Sequence, residues 1–224
     1  MKRVWVTAVC VLAAAAALIS CAGRARGGSS RPTVSSAAPS SAVSASSAVP
    51  ASAASSQTAD QAAAAQMAAD AQGDLLGGQY AQAVRLCDEA AAKDPANPDS
   101  YTIKGLALCY QKQYAAGMAV IDQALALRPD YPFAMFNKAM GYKLQKDYDD
   151  AMIWFQKVIA VKPDDTWSYY GIATIYADRG DKAQALGWLQ KAIALDASVK
   201  ATAKEQDDHW GRYADDADFQ KLVD

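Results

Sequence analysis

Tyr80, Tyr114 and Tyr148 stand 34 residues apart, and the same step carries Ala83 onto Gly117 and Ala151, Ala90 onto Ala124 and Val158, and Pro95 onto Pro129 and Pro163. One step further, Ala185, Leu189, Ala192 and Leu195 fall beneath Ala151, Phe155, Val158 and Val161, with Lys182 in place of the tyrosine and Ala197 in place of the proline. The frame divides the chain into units 64–97, 98–131, 132–165 and 166–199. A unit this short cannot bury both of its apolar faces alone, so stability has to accumulate through contacts between neighbours in a stack.

Within each unit the apolar positions recur at helical spacing and are cut once by a turn. The pattern predicts a first helix from near Thr58 or Asp60 to Leu76, broken by Gly77-Gly78, and a second from Tyr80 to Lys93. Further helices are predicted at 98–111, 114–127, 132–145, 148–161, 166–179 and 182–195. Pro98 and Pro132 suit a first helical turn, where the missing amide hydrogen has no partner to lose. Pro95, Pro129 and Pro163 end their units because proline cannot continue the preceding ladder. Asp99, Asp165, Thr166 and Asp181 are candidate caps. Gly105 and Gly117 mark a close crossing of two backbones.

Period, helix-turn-helix pattern and terminal proline together resemble the tetratricopeptide repeat. The resemblance implies an all-α fold, an α-solenoid of four helix-turn-helix units over 58–199, closed by a helical C-terminal cap over 200–224. Trp210, Tyr213, Phe219, Leu222 and Val223 are the apolar residues available to that cap. In such arrays the first helix of each unit lines the concave surface. Carried over residue by residue, the resemblance puts Leu106 and Tyr110, then Phe133, Phe136, Met140 and Lys143, then Trp167 and Tyr170, in a groove. A row so rich in aromatic residues is the kind of surface that anchors a peptide or protein. Two alternatives stay open: the C-terminal segment folds over part of the groove, or copies of the chain associate there. Arrays that grip a carboxy-terminal EEVD peptide carry basic and asparagine clamps where this chain has Thr102, Leu106, Phe136 and Met140, so that ligand class is not expected.

The N-terminus is of a different kind. Lys2 and Arg3 precede an apolar run from Val4 to Ile19, shorter than the roughly 20 residues of a spanning helix. The run ends Leu18-Ile19-Ser20-Cys21, which resembles a bacterial lipobox, the motif of lipoproteins. The resemblance implies a signal peptide over 1–20, acylation of Cys21, and, with Ala22 rather than aspartate following, an outer-membrane address facing the periplasm. Residues 21–57 are nearly all Ala, Ser, Gly, Pro, Val and Arg. Nothing there offsets ordering entropy of about 1–2 kcal/mol per residue, so a disordered tether is expected.

The formal net charge is −2, with all 24 acidic residues at or after Asp60. An acidic array argues against nucleic acid, whose affinity comes from clustered Lys and Arg. His209 is the sole histidine, read as a surface or cap residue, and no ligand spacing for a metal, phosphate loop or catalytic triad accompanies it. No enzyme activity, cofactor or metal is expected. Cys87 and Cys109 fall on neighbouring helices. The apolar stripe turns Cys87 inward while the concave register puts Cys109 toward the rim, so two free thiols are expected, with a disulfide the alternative in an oxidising compartment.

Lipoproteins of this architecture include type IV pilus pilotins, assembly lipoproteins of the outer-membrane barrel machinery and a cell-wall hydrolase adaptor. The sequence thus points to a lipid-anchored envelope adaptor for a protein or peptide, or, alternatively, to a self-associating structural lipoprotein of the envelope.

Overall fold

The computed structural model describes the backbone of residues 51–224 and the side chains from residue 56 on. The signal segment, Cys21 and the tether up to residue 50 lie outside the described residues. Those described form helices joined by short turns: α1 (Ala51–Leu76), α2 (Tyr80–Lys93), α3 (Pro98–Tyr110), α4 (Tyr114–Leu127), α5 (Pro132–Leu144), α6 (Tyr148–Val161), α7 (Thr166–Arg179) and α8 (Lys182–Leu195). After them come α9 (Val199–Glu205), α10 (Asp207–Trp210), a 3-10 turn (Gly211–Tyr213) and α11 (Ala217–Val223). The described residues form an all-α solenoid of four stacked pairs with a C-terminal helical cap. None of the described helices is long and apolar enough to cross a membrane.

One boundary differs from the sequence reading. α1 begins at Ala51, not near Thr58, so the first helix runs into the segment expected to be tether. Extending an existing helix adds one hydrogen bond per ordered residue without a new nucleus, and an Ala/Ser stretch free of proline after Pro50 has enough propensity to follow.

The turn within each unit is the same device four times. Gly78, Lys112, Lys146 and Gly180, each 34 residues after the last, all have positive φ, between 64° and 81°. In each turn the following amide reaches back to the helix: Gln79 to Asp74, Gln113 to Leu108, Asp147 to Tyr142 and Asp181 to Tyr176. These are Schellman closures, which satisfy the last carbonyls of the first helix. α3 and α5 stop one residue before their predicted ends, while α7 reaches its own. At the other ends, Asp165 and Asp181 accept from Ser168 and Gln184 amides as expected of caps. Asn97, not Asp99, caps α3, accepting from the Asp99 amide at 2.9 Å. Thr166 lies inside α7, at its first position.

The buried stripe of each second helix is Ala83/Cys87/Ala90, Gly117/Ile121/Ala124, Ala151/Phe155/Val158 and Ala185/Leu189/Ala192. Small residues set the closest approaches. A Cβ on Gly105 would lie 2.7 Å from the Gly117 carbonyl oxygen, and one on Gly171 would lie 2.6 Å from the Phe155 ring. Polar links repeat at the same step: Lys104 pairs with Asp88, and Lys138 with Asp122, joining each second helix to the first helix of the next unit. The consensus tyrosines do likewise. Tyr114 donates to the Leu144 carbonyl and Tyr148 to Asp178, both at 3.2 Å, while Tyr80 stacks on Tyr110 at 4.9 Å.

The C-terminal segment turns out to be a shortened fifth unit. α10 packs on α7, and α9 and α11 pack on α8. Val223 and Phe219 are buried 34 residues after Leu189 and Ala185, so α11 repeats the stripe of the second helices. Trp210 stacks on Phe219 at 5.4 Å and is itself buried, closing the apolar face that unit four would otherwise expose.

Candidate functional site

The first helices α3, α5 and α7 carry every residue of the groove read from the sequence. Leu106, Phe133, Phe136, Met140, Trp167 and Tyr170 are buried, and Tyr110 and Lys143 are half-buried. Their contacts divide them into two groups. Phe136 presents an edge contact to Phe155 at 5.4 Å, so it also fastens α5 to α6. Phe133 lies edge-on to Tyr131, and Tyr110 stacks on Tyr80. These belong to the middle of the array.

At the unit-four end the row meets the chain's own C-terminal segment. Trp167 is edge-on to Tyr170 at 5.8 Å, and Tyr170 lies against Trp210. The Tyr170 hydroxyl donates to Gln206 Oε1 at 2.8 Å and accepts from Trp210 Nε1 at 3.0 Å. Beside this contact is a polar cluster. Lys143 Nζ donates to Thr174 Oγ1 at 2.7 Å and to His209 Nε2 at 3.4 Å, His209 Nδ1 lies 2.6 Å from Asp178 Oδ1, and Tyr148 donates to Asp178 Oδ2. Burial pushes the Asp178 carboxyl up, but its pairing with His209, then Lys143 and the Tyr148 hydroxyl, outweighs that and leaves it below its ordinary value. Burial, with Asp178 beside it, raises the Tyr148 hydroxyl. The cluster fastens α10 across two units.

His209 is therefore a cap residue, half-buried, as one of the two sequence readings had it. Its partners were not legible: Asp178 is 31 residues away and Lys143 is 66 residues away, and no local pattern links them. Among the described residues no group of three or more His, Cys, Asp or Glu is placed to hold a metal ion.

The two cysteines among the described residues, Cys87 and Cys109, are free and buried. Cys109 does not lie at the concave rim. Its Sγ occupies the space where a Cβ on Gly117 or Gly141 would point, 2.5 Å and 3.3 Å away, so it is packed between α3, α4 and α5. The glycines facing it draw the sulfur inward. Burial raises the Cys109 thiol to about 11. Burial, with the Asp88 charge, raises Cys87 to about 12 against the opposing influence of Lys104. Neither is a thiolate nucleophile at neutral pH.

Comparison with known proteins agrees with this geometry. Residues 134–165 and 168–199 match the tetratricopeptide repeat model, so the array contains tetratricopeptide repeats. No curated protein matches the sequence at a significant level. Among solved structures, the chain is similar to PilF of Pseudomonas aeruginosa, at 16% identity and TM-score 0.60, over 73% of this chain and 75% of that one. It is similar to PilW, described as a widely conserved type IV pilus biogenesis factor, at 18% identity and TM-score 0.59, over 71% and 74%. A third similar structure is MamA from residue 41 on, from Desulfovibrio magneticus RS-1, at 25% identity and TM-score 0.51, over 71% and 89%. What these likenesses establish is the fold.

Proposed function

We propose that this chain is a non-enzymatic protein-interaction scaffold of the bacterial cell envelope, held to the outer membrane on its periplasmic side by acyl chains on Cys21. Two or more acyl chains retain a protein where one does not. Residues 1–20 are removed on this reading, and the segment between Cys21 and α1 is the tether. The observation that carries the scaffold reading is the row of large side chains on consecutive first helices, Tyr110, Phe133, Phe136, Met140 and Trp167, in an array built by stacking. The fold likeness to PilW, a pilus biogenesis factor, supports an envelope role.

Because the C-terminal segment holds Tyr170 and Lys143 and Leu106 is fully buried, the proposed contact surface narrows to the stretch from Tyr110 through Met140. A peptide or protein segment lies there, anchored by aromatic contacts. The test is a cross-linked pull-down from envelopes with the native chain and with Phe133→Ala plus Met140→Ala, chosen because Phe136 also packs on Phe155 and Tyr110 on Tyr80. A distinct stoichiometric partner, lost in a variant whose helicity is unchanged, is the expected result. Retention of that partner by the folded variant counts against the groove, and recovery of the chain alone points instead to a self-associating structural lipoprotein. Labelling with radioactive palmitate, lost in Cys21→Ser, tests the anchor separately.

A further inference from the structure

Leu127, Ile153, Val161 and Leu195 are large apolar residues left 44–48% exposed. All four lie on second helices. Leu127, Val161 and Leu195 end α4, α6 and α8, one repeat apart. On the same outward faces are two further repeats of a single motif. Lys157 Nζ lies 3.8 Å from the centroid of the Trp154 ring, and Lys191 Nζ lies 3.9 Å from that of Trp188, 34 residues on. Lys138 adds a second ammonium over Trp154 at 4.3 Å. Asp150 is the one carboxylate in this register, and the neighbouring Asp122 of α4 is taken up by its ion pair with Lys138. The equivalent face of α2 is charged instead, with Arg85 paired to Glu89 and Lys93 to Asp60, so the apolar face starts at unit two.

We propose that this outer face of α4, α6 and α8 docks on an anionic lipid surface. Tryptophan with an apolar body and polar edge, and lysine with an apolar stem and charged head, are the side chains that settle at the boundary between headgroups and acyl chains. The exposed aliphatic residues supply shallow apolar burial, and the lysines supply attraction to lipid phosphates. A second copy fits the face less well, since Lys157 and Lys191 would meet lysines again and Asp122 is already paired with Lys138, leaving Asp150 to oppose them. On the lipoprotein reading about 30 residues separate Cys21 from α1, and a chain of that length with coil statistics would have an r.m.s. span of roughly 30 Å, which keeps the face within reach of the membrane. Docking there leaves the opposite, concave side open to the periplasm.

The test needs no acyl group. The chain starting at residue 21 and carrying Cys21→Ser keeps every described residue, so its binding and the lipidation of Cys21 are read independently. In sedimentation with phosphatidylcholine vesicles, with or without phosphatidylglycerol, the expected result is several-fold more binding when phosphatidylglycerol is present. Lys157→Gln plus Lys191→Gln should lower that binding by about fivefold per lysine, and Val161→Gln plus Leu195→Gln should abolish it, with circular dichroism showing the helices retained in both variants. Absence of binding to phosphatidylglycerol vesicles overturns the proposal. So does binding that survives both pairs of substitutions, which would place it in the tether arginines, or a dimer that the same substitutions dissolve.

Discussion

Gly105 and Gly117 face each other across α3 and α4 so closely that a Cβ on either would come within 2.7 Å of the other's carbonyl oxygen, and within 2.5 Å in the case of Gly117. Backbone atoms cannot swing aside as a side-chain tip can. Gly105→Ala and Gly117→Ala should each destabilise the array by about 1–3 kcal/mol, the usual cost of overpacking, despite the better helix propensity of alanine. Gly187, also in a helix, has nothing within 4 Å of a built Cβ. There the same substitution should stabilise by about 0.5–1 kcal/mol, through propensity alone. Urea melts of the three variants separate the two mechanisms by sign.

The turn positions carry the opposite prediction for lysine. Lys112 and Lys146 adopt φ of 65° and 64°, where Gly78 and Gly180 stand in the equivalent turns. A left-handed conformation costs an L-residue roughly 1–2 kcal/mol, while glycine pays in unfolded-state entropy. Lys112→Gly and Lys146→Gly should therefore raise stability by up to about 1 kcal/mol each, and the double variant should be additive because the sites are one repeat apart. Gly180→Ala should do the reverse, since its φ is 81° and its Cβ would also approach Arg212. A lower urea midpoint for either lysine variant would remove strain as the explanation.

These two cases show what the sequence made legible and what it did not. The 34-residue step gave the helices to within a residue or two because proline and glycine cut each unit at fixed places. Gly105 stood out as a close crossing for the same reason: a glycine inside a helix has a local propensity cost that needs a packing cause. The left-handed lysines were readable only through register, since Gly78 and Gly180 sit at their repeat positions while lysine itself signals nothing of the kind. The C-terminal segment hid a fifth unit because its first helix is broken into α9 and α10, shifting Trp210 away from any consensus place, although Val223 keeps its step from Leu189. Likewise the Lys143, Asp178 and His209 cluster depends on how that broken helix lands, a tertiary outcome with no local pattern.

The same cluster makes stability depend on pH in a defined window. Asp178 has a folded value held below the ordinary 3.8 by His209, Lys143 and Tyr148, against the upward push of burial. A depressed carboxyl contributes stability that is fully present above its unfolded value and is lost as pH falls through its folded value. Melting temperature should accordingly decline from about pH 4 downward, and Asp178→Asn should melt lower than the native chain at pH 7 while losing less on acidification. A variant difference that stays constant across that range would assign Asp178 a packing role instead.

Cysteine labelling closes the question of the thiols. With Cys87 raised to about 12 and Cys109 to about 11 by burial, and with both side chains inside the array, the native protein at pH 8 presents about one thiolate per thousand molecules or fewer, and that one shielded. Ellman's reagent should detect no rapid reaction until denaturant is added, after which two thiols should appear from these positions in a Cys21→Ser chain starting at residue 21. Because Cys109 is packed against Gly117 and Gly141, the reaction should follow unfolding of units two and three, with the same denaturant midpoint as helicity. Rapid native labelling would place a thiol at the surface, and the absence of both thiols after unfolding would establish the disulfide in place of the free pair.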